Sequence, residues 1–524
     1  MNKLREIVIV LLLTPLCLTA QITPKEGSAV NYRIIGFSFP QKEKTTKYKL
    51  EVASGNCNDE TVFQKNIIST AVADKNRIVA EVSSFGKQYT WRITYQERGS
   101  NTSKSGLHHF STMTSPDVDP DSVRLRITAN TGKYKGDYVF VDGNKVLYDM
   151  NGAPVWFFPK IDGLEPGSLH LRDLKESPFG TITTIDDERI YEINYSGDVL
   201  WKGPGNGKTR TDTSNFEYAY HHEFTRLANG HYMTMSFEQP AWALPEPIDS
   251  NTVAHAHGKI VRDNNNVYYQ KMLFGTLVEF DGDGKVAWKW SASDYLKNSD
   301  LSKRMIRNKF FDLNDTHANG FYFDEKTKDI YISFRNLNRI IKIQYPSGKV
   351  LETYGKRYTP GGNSQLINGL FCGQHSCRQS QDGYLYLFNN NICHMRALPT
   401  ILMLKQPAPD SDELEKVWEF ECPMEDLGPN ETTAGYFNFG GSVFEMPDRS
   451  FFVCMGGSYG KVFIVNRDKQ ILWSAQPEKW DRAASKWIKD GVLVDGKVRE
   501  GSYRASIISH DELESLIWNE PLKE

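Results

Sequence analysis

Apolar and polar side chains alternate along this chain in short runs broken by polar turns, the two-residue period of strands rather than the 3.6-residue period of helices. Between Ile22 and Thr114 the runs Tyr48–Val52, Ile78–Val82 and Tyr89–Tyr95 are rich in β-branched and aromatic residues. They predict a small antiparallel N-terminal β-sandwich over residues 21–116, similar to a fibronectin type III module. The polar stretch Ser115–Asp121, with two prolines, reads as the linker that follows.

Past the linker one pattern recurs six times: an alternating strand, a polar turn, and a strand that usually ends in Trp. The copies are Val146–Trp156, Ile190–Trp201, Leu277–Trp288, Ile340–Leu351 (Leu in place of Trp), Ile401–Trp418 and Val462–Trp473. Each is a β-hairpin, and a lone hairpin cannot bury its own face. The spacing leaves room for two more strands per copy. The predicted fold is therefore all-β, a six-bladed β-propeller over residues 117–524, with Tyr503–Ser509 returning to close the first blade. A two-sheet sandwich of the same strands would not repeat this hairpin.

Charge narrows the function. Lys plus Arg number 62 against 65 Asp plus Glu, a net −3, which argues against a nucleic-acid partner. Residues 1–20 carry Lys3 and Arg5 before the apolar run Ile7–Leu13 and end in small residues, the pattern of a secretory signal peptide. A periplasmic location is expected, with no stable membrane span. Lipid anchoring at Cys17 is disfavoured by the bulk of Leu16. Six cysteines follow the signal; Cys372 and Cys377 are the disulfide candidate by proximity, and Cys393, Cys422 and Cys454 are expected as free thiols.

Candidate chemistry lies where the repeats begin. His222 opens HEFTRLANGHYMTM and His375 opens HSCRQSQDGYLYLF, each a strand, a turn and a second strand. His317 opens HANGFYFDEKTKDIYISF. First strands of propeller blades line the central channel, so these three residues are expected in one register at the axis. Gly441 is expected to leave open space beside them. Arg335 adds a planar cation suited to tetrahedral oxyanions. Alternation is expected to turn Glu223 away from the His222 side. Three imidazoles and a guanidinium describe an anion site better than a metal site.

His222, Thr316-His317-Ala318-Asn319, Arg335 and Gln374-His375, with the signal peptide and six hairpins, resemble the bacterial arylsulfate sulfotransferases that work without an adenylyl sulfate donor. The resemblance covers essentially the whole mature chain. It implies sulfuryl transfer from phenolic sulfate esters to phenol acceptors by a ping-pong route through a sulfohistidine, with no cofactor and no metal. On that resemblance His375 is the nucleophile, and His222, His317, Asn319 and Arg335 bind the sulfuryl group. His221 competes with His222, because the family motif also begins with two histidines. The family's disulfide lies upstream of the nucleophile, whereas Cys372 and Cys377 straddle it. Two other readings fit the residues: a metal-dependent propeller lyase using the histidines, and a non-catalytic binding scaffold. Exposed sandwich edges allow a homodimer.

Overall fold

The computed structural model describes residues 22–98, 101–114, 119–161, 171–205, 219–244, 260–300, 315–355, 369–392, 398–407, 414–424, 440–457, 460–489 and 501–521. The proposed signal peptide, Cys17 and Cys393 lie outside them. The chain is mostly strand, and it divides into two compact units between Met113 and Thr114. No described helix is long and apolar enough to cross a membrane.

In the first unit a six-stranded sheet and a two-stranded sheet (Ile34–Ser38 with Arg77–Glu81) share an aromatic core. Phe37 meets Trp91 edge-on at 5.1 Å between ring centroids. One pairing departs from the antiparallel expectation: Ser28–Val30 runs parallel to His108–Thr112. These are the first and last strands of the unit, and no hairpin connects them to impose an antiparallel direction.

The second unit contains six antiparallel sheets built around four strands each, among the described residues. The second through fifth open on the innermost strands Leu171–Ser177, His221–Arg226, Ala318–Asp324 and His375–Gln379, and the sixth on Ser442–Glu445. The first sheet is completed from the far end of the chain, where Ala505–Ile508 pairs with Tyr138–Val141. These innermost strands neighbour one another in a closed cycle, from Leu171–Ser177 round to Ala505–Ile508 and back. The hairpins read from sequence form the third and fourth strands of each sheet.

The recurring tryptophan has a structural cause. Each indole Nε1–H donates to a turn carbonyl of the next sheet: Trp156 to Tyr195 (2.8 Å), Trp201 to Gly282 (3.0 Å), Trp288 to Pro346 (2.7 Å) and Trp418 to Arg467 (2.8 Å). Trp473 closes the series by donating to Met150 of the first sheet at 3.0 Å. Leu351, in the fourth copy, has no indole to give. A large apolar ring with one donor suits a position that is buried on one side and faces a turn on the other.

Candidate active site

The innermost strands of the second to fifth sheets are each interrupted near their start. In the ladders Arg172 pairs with Ile185 but Lys175 with Thr183; His221 pairs with Met235 but Phe224 with Thr234; His375 pairs with Phe388 but Arg378 with Tyr386. Ala318 and Gly320 bracket the same kind of irregularity in the fourth sheet. Beside each break a non-glycine residue takes a left-handed backbone: Asp173 (φ 55°), His222 (65°), His317 (53°) and Ser376 (52°). Bulges re-aim side chains and suspend the alternation of faces. Consecutive His221, His222 and Glu223 are consequently all buried.

Glu223 accepts from Arg378 Nη2 at 2.7 Å and lies 3.2 Å from Arg504 Nη1. One expectation is corrected: His222 and His375 do not share a register. His375 occupies the ladder position of His221, and Ser376 takes the left-handed place that His222 fills.

The rings nevertheless converge. His222 lies edge-to-face with His317 at 5.2 Å and with Tyr503 at 5.7 Å, and Tyr503 meets His375 at 6.0 Å. Hydrogen bonds assign the tautomers. His221 Nε2 faces the Ser236 carbonyl at 3.1 Å and must donate, so its Nδ1 accepts from His222 Nδ1, 2.5 Å away. His222 is left with an Nε2 lone pair. His221, stacked on Phe237 at 3.7 Å, has both nitrogens committed, so it orients His222 and offers no nitrogen to a substrate. Burial pushes the His221 ring down to about 3 and drives His222 well below the ordinary imidazole range. That depression favours the neutral ring at His222. His317 is placed differently: it is partly exposed, with Asp315 Oδ2 at 3.0 Å from its Nδ1.

His375 is buried, and its Nδ1 faces two acceptors, Asn390 Oδ1 at 2.7 Å and the Gly373 carbonyl at 3.1 Å. Asn390 is itself oriented because its Nδ2 donates to the Gly440 carbonyl at 2.9 Å. Nδ1 therefore carries the proton and Nε2 the lone pair, on which the Gly440 N–H rests at 3.3 Å. Burial, and then the Arg335 charge, hold the ring well below its usual value. The result is a neutral imidazole with one nitrogen prepared as a nucleophile.

Arg335 follows the second strand of the fourth sheet; its backbone N–H donates to the His317 carbonyl at 2.8 Å and its Nη1 to Asn336 Oδ1 at 3.0 Å. Asn319 is fully buried, its Nδ2 donating to the Gln374 carbonyl at 2.7 Å. The Gln374 side chain is fastened in turn to Ser333, Phe334 and Arg339.

Beneath these groups Arg504 ties the sheets together. Its backbone N–H donates to Asp142 Oδ2 (2.8 Å), Nη1 to Asp173 Oδ1 (2.9 Å) and Nη2 to the Asn319 carbonyl (3.0 Å). Burial works to raise the Glu223 carboxyl, but Arg504, Arg378 and Lys175 bring it down to about 2. Sequence reading missed Asn390, Tyr503 and Arg504. Tyr503-Arg504 stands at the head of an innermost strand, as the histidines do, and that position was the available signal. Asn390 follows the strand Leu385–Asn389 and gave none.

The Cys372–Cys377 pairing fails, whereas the free thiols expected at Cys422 and Cys454 are found. Cys377 is a free buried thiol packed with Tyr331, Ile340 and Leu385, because its place in the bulged strand turns it into the core. Cys372 is disulfide-bonded, and Cys377 is not its partner. Cys422 and Cys454 are free and buried. Gly441 leaves no open space either: a Cβ there would fall 2.4 Å from the Phe388 ring. Among the described residues no group of three His, Cys, Asp or Glu is placed to hold a metal ion.

No curated protein matches the chain. Among solved structures it is similar to apo AztD from Citrobacter koseri, at 8% identity over 88% of this chain and 98% of that one, TM-score 0.29. It is also similar to the periplasmic gluconolactonase PpgL of Pseudomonas aeruginosa, at 10% identity over 88% and 99%, TM-score 0.30. A protein of unknown function from Bacteroides caccae aligns at 10% identity over 64% and 92%, TM-score 0.37. The family model for Arylsulfotransferase (ASST) matches residues 130–411, more than half of the chain. That span carries the bulged strands, the oriented imidazoles and half-buried Arg335, and on it the chain belongs to the arylsulfotransferase family.

Proposed function

We propose that this protein moves a sulfuryl group from an aryl sulfate to a phenol through a sulfohistidine at His375, without a nucleotide sulfate donor. Family membership supports a sulfotransferase acting on phenolic substrates. The observation that carries the finer reading is the fixed His375 tautomer: Asn390 and Gly373 hold the proton on Nδ1 and keep the lone pair on Nε2, which exchanges the Gly440 N–H for sulfur when it attacks. We read the cycle of six sheets as a six-bladed propeller that brings distant imidazoles to one axis, in an exported, periplasmic protein.

In the first displacement Nε2 forms a bond to sulfur, the sulfur–aryl oxygen bond breaks, and the phenolate leaves. Its conjugate acid has a pKa near 10, so a proton donor lowers the barrier. His317, with Asp315 at Nδ1 to compensate a positive charge, is the donor. In the second displacement an acceptor phenol gives its proton to the neutral ring, its oxygen attacks sulfur, and the N–S bond breaks. That neutral ring is His317, discharged in the first displacement and again backed by Asp315 once it regains the proton. Arg335 and Asn319 hold the sulfuryl oxygens, each donor worth about 3 to 4 kcal/mol of barrier.

The test is His375→Ala assayed with 4-nitrophenyl sulfate and a phenol, with and without added adenylyl sulfate donor. Turnover is expected to vanish in the variant and to be indifferent to the nucleotide in the wild type. Donor-treated wild type should carry an acid-labile SO3 on the peptide containing His375. Near-normal turnover by the variant overturns the assignment.

A further inference from the structure

We propose that Tyr503 is a further catalytic residue, donating its phenolic hydrogen to a non-bridging oxygen of the sulfuryl group. The inference rests on the sulfuryl-transfer reading above and adds to that site a donor from the strand that completes the first sheet. Tyr503 lies outside the span that matches the family model.

Tyr503 is 7% exposed, and its hydroxyl has no hydrogen-bond partner among the described residues. Three other buried tyrosines have hydroxyl partners: Tyr220 donates to the Pro204 carbonyl at 2.8 Å, Tyr232 to Glu192 at 2.5 Å and Tyr354 to Gln406 at 2.8 Å. A buried hydroxyl without a partner is costly and calls for a reason. Its surroundings supply one. The ring stands between His222 and His375, 5.7 and 6.0 Å from them, and the Arg172 guanidinium covers its face at 4.6 Å.

The position is built rather than incidental. The Tyr503 carbonyl accepts from the Gly441 N–H at 2.9 Å. A Cβ at Gly440 would fall 2.6 Å from that carbonyl, so the approach requires glycine there. The same Gly440 contacts His375 Nε2, which places Tyr503 beside the nucleophilic nitrogen.

Geometry selects the oxygen. In an in-line displacement the leaving oxygen lies beyond sulfur from Nε2, and the three sulfuryl oxygens spread sideways around that axis. A group flanking the nucleophile's ring reaches the sideways oxygens, not the leaving one. The charged groups acting on Tyr503 are Arg504, Arg172, Arg335 and, opposing them, Asp142; burial outweighs the cations and keeps the phenol protonated.

The experiment compares wild type with Tyr503→Phe, which keeps the ring and removes the hydroxyl. The burst of phenol release is followed across aryl sulfates whose phenols differ in acidity. A loss of about 100- to 1,000-fold, uniform across the series and with an unchanged melting temperature, is expected. A loss below threefold overturns the proposal. A loss that grows as the leaving phenol becomes less acidic also overturns it, because the hydrogen bond would then go to the leaving oxygen. Should wild type give no burst with any aryl sulfate, the transfer reading itself is what fails. If Tyr503→Phe does not fold, 3,5-difluorotyrosine at position 503 preserves shape and hydroxyl. The alkaline limb of its burst rate should move to lower pH, and a limb that stays in place refutes the role.

Discussion

Replacing Asn390 by Ala isolates the contribution of the His375 tautomer. The change removes the acceptor 2.7 Å from Nδ1 and the donor that reaches the Gly440 carbonyl at 2.9 Å. The Gly373 carbonyl at 3.1 Å still accepts from Nδ1, and the Gly440 N–H still favours a lone pair on Nε2. The productive tautomer is therefore weakened, not reversed. One neutral hydrogen bond is worth about 1 to 1.5 kcal/mol, so the burst rate constant should fall about 5- to 12-fold. A stopped-flow burst with 4-nitrophenyl sulfate reads that constant directly, and KM should move little because Asn390 does not face the substrate. Asn390 acts to raise the His375 value, so its loss should displace any acid limb downward in pH. A change below twofold, or a loss as complete as that of His375→Ala, would refute the reasoning.

Three further outcomes follow from the same structure. His221 is depressed to about 3, and His222 and His375 are also depressed by burial. Their stabilising contribution is full above about pH 6.5 and lost as pH falls, towards about 3 for His221, at up to about 1.4 kcal/mol per pH unit per ring; denaturant midpoints between pH 7 and 4 test this, and a flat profile contradicts it. Arg504→Met takes the guanidinium from buried Asp173 and Glu223, leaving Lys175 and Arg378 as their cations, and should cost at most about 3 to 5 kcal/mol, with Glu223→Gln in the same chain recovering part of it; equal stability of Arg504→Met and wild type in a urea melt would show the network to be idle. Trp473→Phe removes the donor to the Met150 carbonyl between the sixth and first sheets and should cost about 1 to 3 kcal/mol by the same measurement.

Much of the fold was legible because it is written in local periodicity. Alternation marks strands, and a hairpin that cannot bury its own face demands neighbours, so six copies imply six packed sheets. The tryptophans at the hairpin ends were visible as a signature, although their use, an indole bond to the next turn, involves residues from another copy. Of the site, His222, His317, Asn319, Arg335 and His375 could be picked out, because they stand at the heads of predicted innermost strands or in a motif beside one.

What alternation could not supply was direction. At the bulges, left-handed residues such as His222 and Ser376 suspend the two-residue rule, and only there is it decided that Glu223 turns inward and His221 stands behind His222. The partners of the reactive ring also came from afar: Asn390 and Gly440 meet His375, and Tyr503 with Arg504 arrives from the far end of the chain. A sequence records which side chains are present and how neighbours alternate. The proton's place on an imidazole is set by atoms that meet only when the sheets close into their cycle, so that choice belonged to the tertiary structure.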